Sequence, residues 1–183
     1  MKKFIMAAAV TALLCSCGEG PKFRPNLPLG DNAADVPNYV IENFSLASSD
    51  SGNMRWKLRA KAAQVFELKK KAHAQDVYLE SYDSEGKKTI LTCRRAVINT
   101  DNYFMEAEGN VKVRSHNKVE VHTEKLFWDE KKQVFYTDAP VAVYKENSVL
   151  RGVGLESDRE MTNLRILSSV RLKAEVQGDE DKE

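Results

Sequence analysis

The sequence predicts an all-β domain built from antiparallel strands, and three observations support that prediction. Short segments that alternate apolar and polar residues recur after residue 38, for example VYLESY (77–82) and VKVRS (111–115). Turn-forming segments such as DSEGKK (83–88) separate them. Beyond the N-terminal apolar run, no 12-residue stretch shows a convincing helical stripe. A hydrophobic period of two is typical of strands with one apolar face.

The first residues are predicted to be an export signal that is not part of the fold. Two lysines precede an apolar run at 4–14, which is shorter than the roughly 20 residues that span a bilayer but has the length of a signal-peptide core. The motif LCSC (14–17) resembles a bacterial lipobox. We therefore expect a lipoprotein signal peptide at 1–16 and a mature chain that begins at Cys17, which is anchored in the membrane by acyl chains such as palmitate. The alternative is a plain secretory signal with incidental cysteines.

Two further segments are predicted to lie outside the folded domain. Residues 18–38 contain four of the five prolines and little periodicity, so 17–38 is predicted to be a lipidated N-terminus and an extended linker. The chain ends in GDEDKE, and residues 177–183 are predicted to form a solvated acidic tail. The folded domain is thereby predicted to span 39–176.

Charge and motif content argue against several functions. The net charge of +1 argues against a nucleic-acid partner. Cys93 would be the only thiol left free in the mature chain, and it is predicted to be a small buried apolar residue. The histidines lack the spacing to other ligands that a metal site needs; they are His73, His116 and His122. Since phosphate-loop and hydrolase motifs are also missing from the sequence, we expect no cofactor, no metal and no enzymatic activity.

An internal repeat organises the predicted domain. A polar or turn residue precedes an apolar-x-apolar phrase four times, and the leading valines are spaced by 34, 30 and 29 residues, at Val77, Val111, Val141 and Val170. A second apolar position lies 15 residues before each valine, at Ala62, Ala96, Leu126 and Leu155. This offset favours strands over 57–74, although its Ala, Lys and Leu content favours helix. We predict about four units of roughly 30 residues that must stack to bury their apolar faces.

Four phrases give the chain a family resemblance over about 39–174. They are GNMRWKLRAKAA (52–63), EGNVKVRS (108–115), VHTEKLFWDEKKQVFYTDAPVAV (121–143) and LRGVGLESD (150–158). In order and spacing they resemble the LptC proteins of lipopolysaccharide export and the wider OstA/LptA-like superfamily. The resemblance implies an open-ended antiparallel β-jellyroll with an apolar groove that holds the acyl chains of lipopolysaccharide.

The same resemblance implies partners and a location. An inner-membrane ABC exporter complex (LptBFG-like) would supply lipopolysaccharide at one sheet edge, and a periplasmic LptA-like jellyroll would receive it at the other by strand addition. The first and last strands are expected near 39–46 and 163–174, and both offer edges open to such pairing. Family members usually carry a transmembrane helix, whereas this chain is predicted to use an acylated cysteine, Cys17, which Gly18 follows. Which membrane holds the anchor is therefore an open choice, and the periplasmic face of the inner membrane is favoured over the outer membrane.

Alternation along the strands predicts which residues line the groove. The candidates are Val77, Leu79, Leu91, Val97, Phe104, Val111, Val113, Val119, Val121, Leu126, Trp128, Phe135, Val141, Val143 and Leu155. For each of them, ordinary core is the alternative. The basic segments Arg94-Arg95 and 69–71 are possible contacts for lipid phosphates at a groove mouth, or else solvated surface.

Two other functions compete with lipid transfer. The first is a structural or partner-binding outer-membrane lipoprotein with a closed β-sandwich core. The second, more distant, is a carbohydrate hydrolase, which would need a pair of carboxylates on the concave face. The inward positions predicted here are apolar, which argues against the hydrolase.

Overall fold

A computed structural model describes residues 33–174. The predicted signal peptide, Cys17, most of the linker and the acidic tail lie outside these described residues. A short 3₁₀-helix, Ala33–Asp35, precedes nine strands. The strands are β1 (Tyr39–Asp50), β2 (Asn53–Phe66), β3 (Lys71–Tyr82), β4 (Lys88–Asn99), β5 (Met105–Arg114), β6 (Val119–Asp129), β7 (Val134–Lys145), β8 (Ser148–Asp158) and β9 (Arg165–Ala174).

All nine strands form one antiparallel sheet in which the strand order follows the chain order. The all-β prediction is therefore confirmed. The ambiguous segment 57–74 is also extended, because it belongs to β2 and β3. The strands are longer than the short segments suggested. For example, VKVRS (111–115) covers only the last four residues of β5 and the residue after it.

The sheet bends along a line that crosses the middle of the strands. The pairing register shifts between residues 92 and 95 of β4, 108 and 111 of β5, and 137 and 140 of β7. Extra residues of this kind bend a strand and increase its twist. We call this line the corner. Arm A holds the part of each odd-numbered strand before the corner and the part of each even-numbered strand after it, and arm B holds the rest.

The repeated phrase marks the place where an odd-numbered strand crosses the corner. Asp76, Asn110 and Ser169 each stand directly before the leading valine and have positive φ values of 51°, 49° and 54°. Asn and Asp tolerate this left-handed conformation better than most residues, and the conformation redirects the strand. Pro140 holds the equivalent place on β7, at the register shift. The sequence pattern is thus a local signal for a bend.

The core lies between the two arms. In arm B, nine aliphatic residues stand opposite one another in register across the whole sheet: Leu46, Leu58, Leu79, Leu91, Val113, Val121, Val143, Leu150 and Leu172. We call them the aliphatic row. Its central members are fully buried, whereas Leu46 and Leu172 at the two ends are 47% and 67% exposed. The ends are exposed because they lie on β1 and β9, the outermost strands of the sheet.

Arm A contains a matching row of small residues. Ala63, Ala74, Ala96 and Ala107 are paired in register on β2 to β5, and all are buried. A methyl side chain leaves room above the strand. Larger side chains from arm B can therefore approach the backbone of arm A closely at this level.

Candidate functional site

An apolar cavity of about 370 Å³ opens at the β1 side of the core. Its lining comprises Phe44, Leu46, Trp56, Leu58, Ala72, Leu79, Ser81, Ile98, Thr100, Tyr103, Met105, Trp128, Glu130, Phe135 and Arg159. This volume lies within the range of about 300–1,000 Å³ that is typical of ligand pockets. Apolar walls with a few polar groups are also typical of such pockets.

Both arms build the cavity. Arm B supplies the β1 end of the aliphatic row, Leu46, Leu58 and Leu79. Arm A supplies five residues paired in register on β3 to β7: Ala72, Ile98, Met105, Trp128 and Phe135. The cavity remains open because β1 is an edge strand, so no further strand packs beyond it among the described residues.

Four residues form a polar rim at the mouth of the cavity: Trp128, Glu130, Gln133 and Arg159. The indole Nε1 of Trp128 donates a hydrogen bond of 2.8 Å to Glu130. Arg159 donates one of 2.7 Å to the Gln133 side chain and places its guanidinium 4.9 Å from the centre of the Trp128 ring. The Arg159 and Glu130 charges lie 3.6 Å apart, which is a looser contact. The rim thus joins the β6–β7 turn to the segment after β8.

The segment after β8 is held in place by its own contacts. The Asp158 carboxylate accepts hydrogen bonds from the backbone N–H groups of Thr162 (2.7 Å) and Asn163 (3.1 Å). Met161 has a φ of 57° and its side chain is fully buried in the core. Because this turn is anchored at both points, Arg159 is presented to the cavity from a defined position.

The predicted groove residues separate into three groups. Three of them line the cavity: Leu79, Trp128 and Phe135. Ten are buried in the core without lining it: Val77, Leu91, Val111, Val113, Val119, Val121, Leu126, Val141, Val143 and Leu155. The middle of the structure is therefore packed, and this cavity lies at its β1 side.

The remaining two, Val97 and Phe104, correct the prediction because they do not point into the core. The inward alternation of β4 shifts by one at the corner, where Cys93 and Ala96 are both buried, so that Ala96 and Ile98 face inward in place of Val97. Phe104 packs against Phe127 on the outer face of the sheet, with ring centres 5.9 Å apart and the rings tilted by 32°. Strict alternation from Leu91 fails at Val97 because the inward face of β4 changes at the corner, whereas Phe104 precedes β5, whose inward residues begin at Met105.

Several lining residues were not predicted from the sequence. Phe44, Leu46, Trp56 and Leu58 come from β1 and β2, the strands before the first repeated phrase. The signal was present, because apolar residues alternate in both segments. The chain's two tryptophans, Trp56 and Trp128, both line the cavity.

The basic segments do not line the cavity. Arg94 and Arg95 lie near the corner, at 3.7 Å from Glu124 and 3.6 Å from Glu108. Lys69 contacts Asp35, and Lys70 lies in the same turn between β2 and β3. These cations are exposed and have carboxylate neighbours. A role at the mouth of this cavity is therefore not supported by their placement.

Cys93 is buried in the core, as predicted, and its Sγ donates a hydrogen bond of 3.1 Å to the carbonyl of Arg95. Burial raises the pKa of the thiol to about 11. The sulfur is therefore protonated at neutral pH, and a protonated thiol is a poor nucleophile. Within residues 33–174 no group of His, Cys, Asp and Glu could hold a metal ion.

The two outer strands carry exposed apolar side chains. Tyr39 and Val40 on β1 are exposed, as are Leu167, Val170 and Leu172 on β9. Each of these strands pairs on one side only within the described part of the chain. Unpaired backbone groups on an outer strand are a template for strand addition. No helix in the described range 33–174 is long and apolar enough to cross a membrane.

These features define a class of protein: a rolled antiparallel sheet with an apolar cavity and, within residues 33–174, two unpaired edges. A family model described as "Lipopolysaccharide-assembly, LptC-related" matches residues 4–175. The chain therefore belongs to the LptC-related family of lipopolysaccharide-assembly proteins. The predicted family is confirmed, and so is the prediction that the chain is not an enzyme.

Comparison with solved structures supports the fold. The chain is similar to LptH, the LptA homologous periplasmic component of the conserved lipopolysaccharide transport device from Pseudomonas aeruginosa. The TM-score is 0.53 and the identity is 11%, over 66% of this chain and 95% of that chain. The likeness confirms an LptA-like β-jellyroll. A comparison with curated proteins found no match.

Proposed function

We propose that this protein carries lipopolysaccharide on its way from the inner to the outer membrane and shelters acyl chains in the apolar cavity. The observation that carries the proposal is the cavity itself, about 370 Å³ in volume and lined almost entirely by apolar side chains. Removing apolar chain from water is worth about 25 cal/mol per Å². An acyl chain is therefore stabilised in this cavity without any chemical step.

The two unpaired edges support a transfer chain. In this proposal an inner-membrane ABC exporter complex delivers lipopolysaccharide at one edge, and a periplasmic LptA-like jellyroll accepts it at the other. Strand addition fits β1 and β9, since both are outer strands with exposed backbone. The exporter supplies the energy, and the protein supplies a sheltered path.

The membrane anchor is a further part of the proposal. Acylated Cys17 holds the protein at the periplasmic face, and the inner membrane suits delivery from the exporter. Residues 17–38 then act as the tether that holds the jellyroll away from the bilayer. Mass spectrometry of the mature N-terminus tests this part, and an unmodified Cys17 would contradict it.

Photocrosslinking in cells tests the transport function. A photoreactive phenylalanine derivative replaces Leu79 or Tyr103, both of which line the cavity, with Lys112 on the outer face as the control. We expect adducts with lipopolysaccharide from the two cavity positions alone. If the protein is folded and abundant but neither cavity position captures lipid, the proposal fails.

A closed structural lipoprotein of the outer membrane is the second candidate. The observation that favours it is the packed middle of the core, where Val113, Val121 and Leu155 have no exposed surface. A photoreactive residue at Val113 separates the two candidates. Lipid adducts at Val113 mean that the arms part during transport, whereas adducts at no inward position favour the structural lipoprotein.

A further inference from the structure

The polar rim places a positive charge beside an otherwise apolar cavity. The Arg159 side chain is only 15% exposed, so its guanidinium is held at the mouth and does not extend into solvent. A guanidinium offers five N–H donors. Within residues 33–174 it donates one hydrogen bond, to Gln133. Most of its donors are therefore without a hydrogen-bonded protein partner in the described structure.

Glu130 is the nearest negative charge, but its main hydrogen bond goes elsewhere. The carboxylate accepts a hydrogen bond of 2.8 Å from the Trp128 indole, whereas the distance from the carboxylate to the Arg159 guanidinium is 3.6 Å. A bidentate Arg–carboxylate pair would have two contacts below about 3 Å. The pair is thus loose, and an anionic ligand would compete with Glu130 for the guanidinium.

We propose that Arg159 binds the anionic headgroup of an amphiphile whose acyl chain occupies the cavity, which makes it a specificity-determining residue. This inference rests on the proposed lipid-carrying function and adds the contact that orients the ligand. The stack on Trp128, with 4.9 Å from the guanidinium carbon to the ring centre, holds the Arg159 side chain in place. Arginine is well suited to phosphate recognition because its planar fork matches phosphate oxygens.

The test compares two detergents that share a chain and differ in headgroup. Dodecyl phosphate and dodecyl maltoside are titrated into the purified protein below their micelle concentrations, and affinity is measured by calorimetry. Binding is located by tryptophan fluorescence, because both tryptophans of the chain line the cavity. We expect wild type to bind dodecyl phosphate more tightly than dodecyl maltoside.

Two substitutions in the Arg159–Glu130 ion pair should shift the affinity for dodecyl phosphate in opposite directions. Arg159→Gln should weaken dodecyl phosphate binding by about tenfold, the loss of roughly one charge-assisted hydrogen bond. Glu130→Gln should strengthen it, because the competing carboxylate is removed. Because dodecyl maltoside is uncharged, both substitutions should change its affinity less than they change the affinity for dodecyl phosphate. Arg165→Gln is the matched control, since it breaks an exposed ion pair of 2.7 Å with Glu156 away from the cavity.

The outcomes separate this inference from the function on which it rests. If neither detergent binds near the tryptophans, the lipid-carrying function fails as well. If both detergents bind equally to wild type, or both variants shift dodecyl phosphate affinity in one direction, only the role of Arg159 is overturned. If Arg159→Gln does not fold, the headgroup preference of wild type and the sign for Glu130→Gln decide the question.

Discussion

Leu150 of β8 lies directly opposite Leu172 of β9, and this pair ends the aliphatic row at the outer strand. Leu150 is half-buried, whereas Leu172 is 67% exposed. The row begins in the same way at Leu46, which is 47% exposed on β1. An apolar line that is buried in the middle and exposed at both edges is suited to continuing into a neighbouring sheet.

We therefore expect Leu172→Asp to weaken pairing with a partner strand while leaving the fold intact. The exposed side chain contributes little to folding, so unfolding free energy should change by less than about 0.5 kcal/mol. Crosslinking to the proposed periplasmic jellyroll partner measures the pairing. Lys173→Asp, on the opposite face of the strand, is the control; equal loss in both variants would argue against a role for the row.

The buried row of small residues in arm A predicts that added side-chain volume will destabilise the protein. Ala107 has no exposed surface and lies in register between Ala96 and Leu126. Ala107→Leu should destabilise the protein by about 1–3 kcal/mol, because the extra methylenes force the arms apart. Urea unfolding measures the change. Ala47→Leu on exposed β1 should have little effect, and a neutral result at both positions would mean that the arms are not tightly packed.

A carboxylate on the outer face predicts how stability depends on pH. Glu80 accepts hydrogen bonds from Lys88 (3.1 Å), Tyr82 (3.1 Å) and Tyr78 (3.3 Å). The bond from Lys88, with help from the tyrosines, holds the pKa of Glu80 below its ordinary value of 4.5. Its contribution to stability is therefore present above the unfolded pKa and is lost as pH falls through the lowered folded value.

We expect Glu80→Gln to lose stability at neutral pH and to approach wild type in acid, where Glu80 is itself protonated. Urea unfolding at several pH values measures both proteins. The exposed Glu85 is the comparison, since Glu85→Gln removes a carboxylate from a turn. A constant difference between wild type and Glu80→Gln at all pH values would show that ionisation is not the cause.

Cys93 should react slowly with thiol reagents in the folded state. Its thiol is buried and its pKa is raised to about 11, so a thiol reagent should label it only when the protein unfolds. In a variant with Cys15 and Cys17 replaced by serine, labelling should be slow in buffer and fast in urea. Rapid labelling of the folded protein would mean that the core near β4 opens readily.

The strands and their antiparallel arrangement could be predicted from the sequence because both depend on local signals. Alternation identifies a strand, and short turns between strands impose an antiparallel order. The single residues that precede Val77, Val111 and Val170 are also local signals, because a residue that tolerates positive φ marks a bend wherever it occurs. The family was accessible for the same reason, since it rests on phrases in a given order.

The cavity could not be predicted in the same way. Alternation shows that Val113 and Leu79 both face inward, yet Val113 packs in the core and Leu79 lines the cavity. The difference depends on what lies opposite each residue across the core, and that is decided by how far the two arms close. The change of inward face in β4 that turns Val97 outward leaves no simple signal in the residue pattern either.

The sequence by itself therefore determined the all-β class, the antiparallel arrangement and the family, since each follows from short-range patterns along the chain. Tertiary structure alone decided where the interior is open and that Trp128, Glu130 and Arg159 meet at its mouth. The physical reason is that cavities and rims arise between residues far apart in sequence, where the bend and twist of the sheet set the distances.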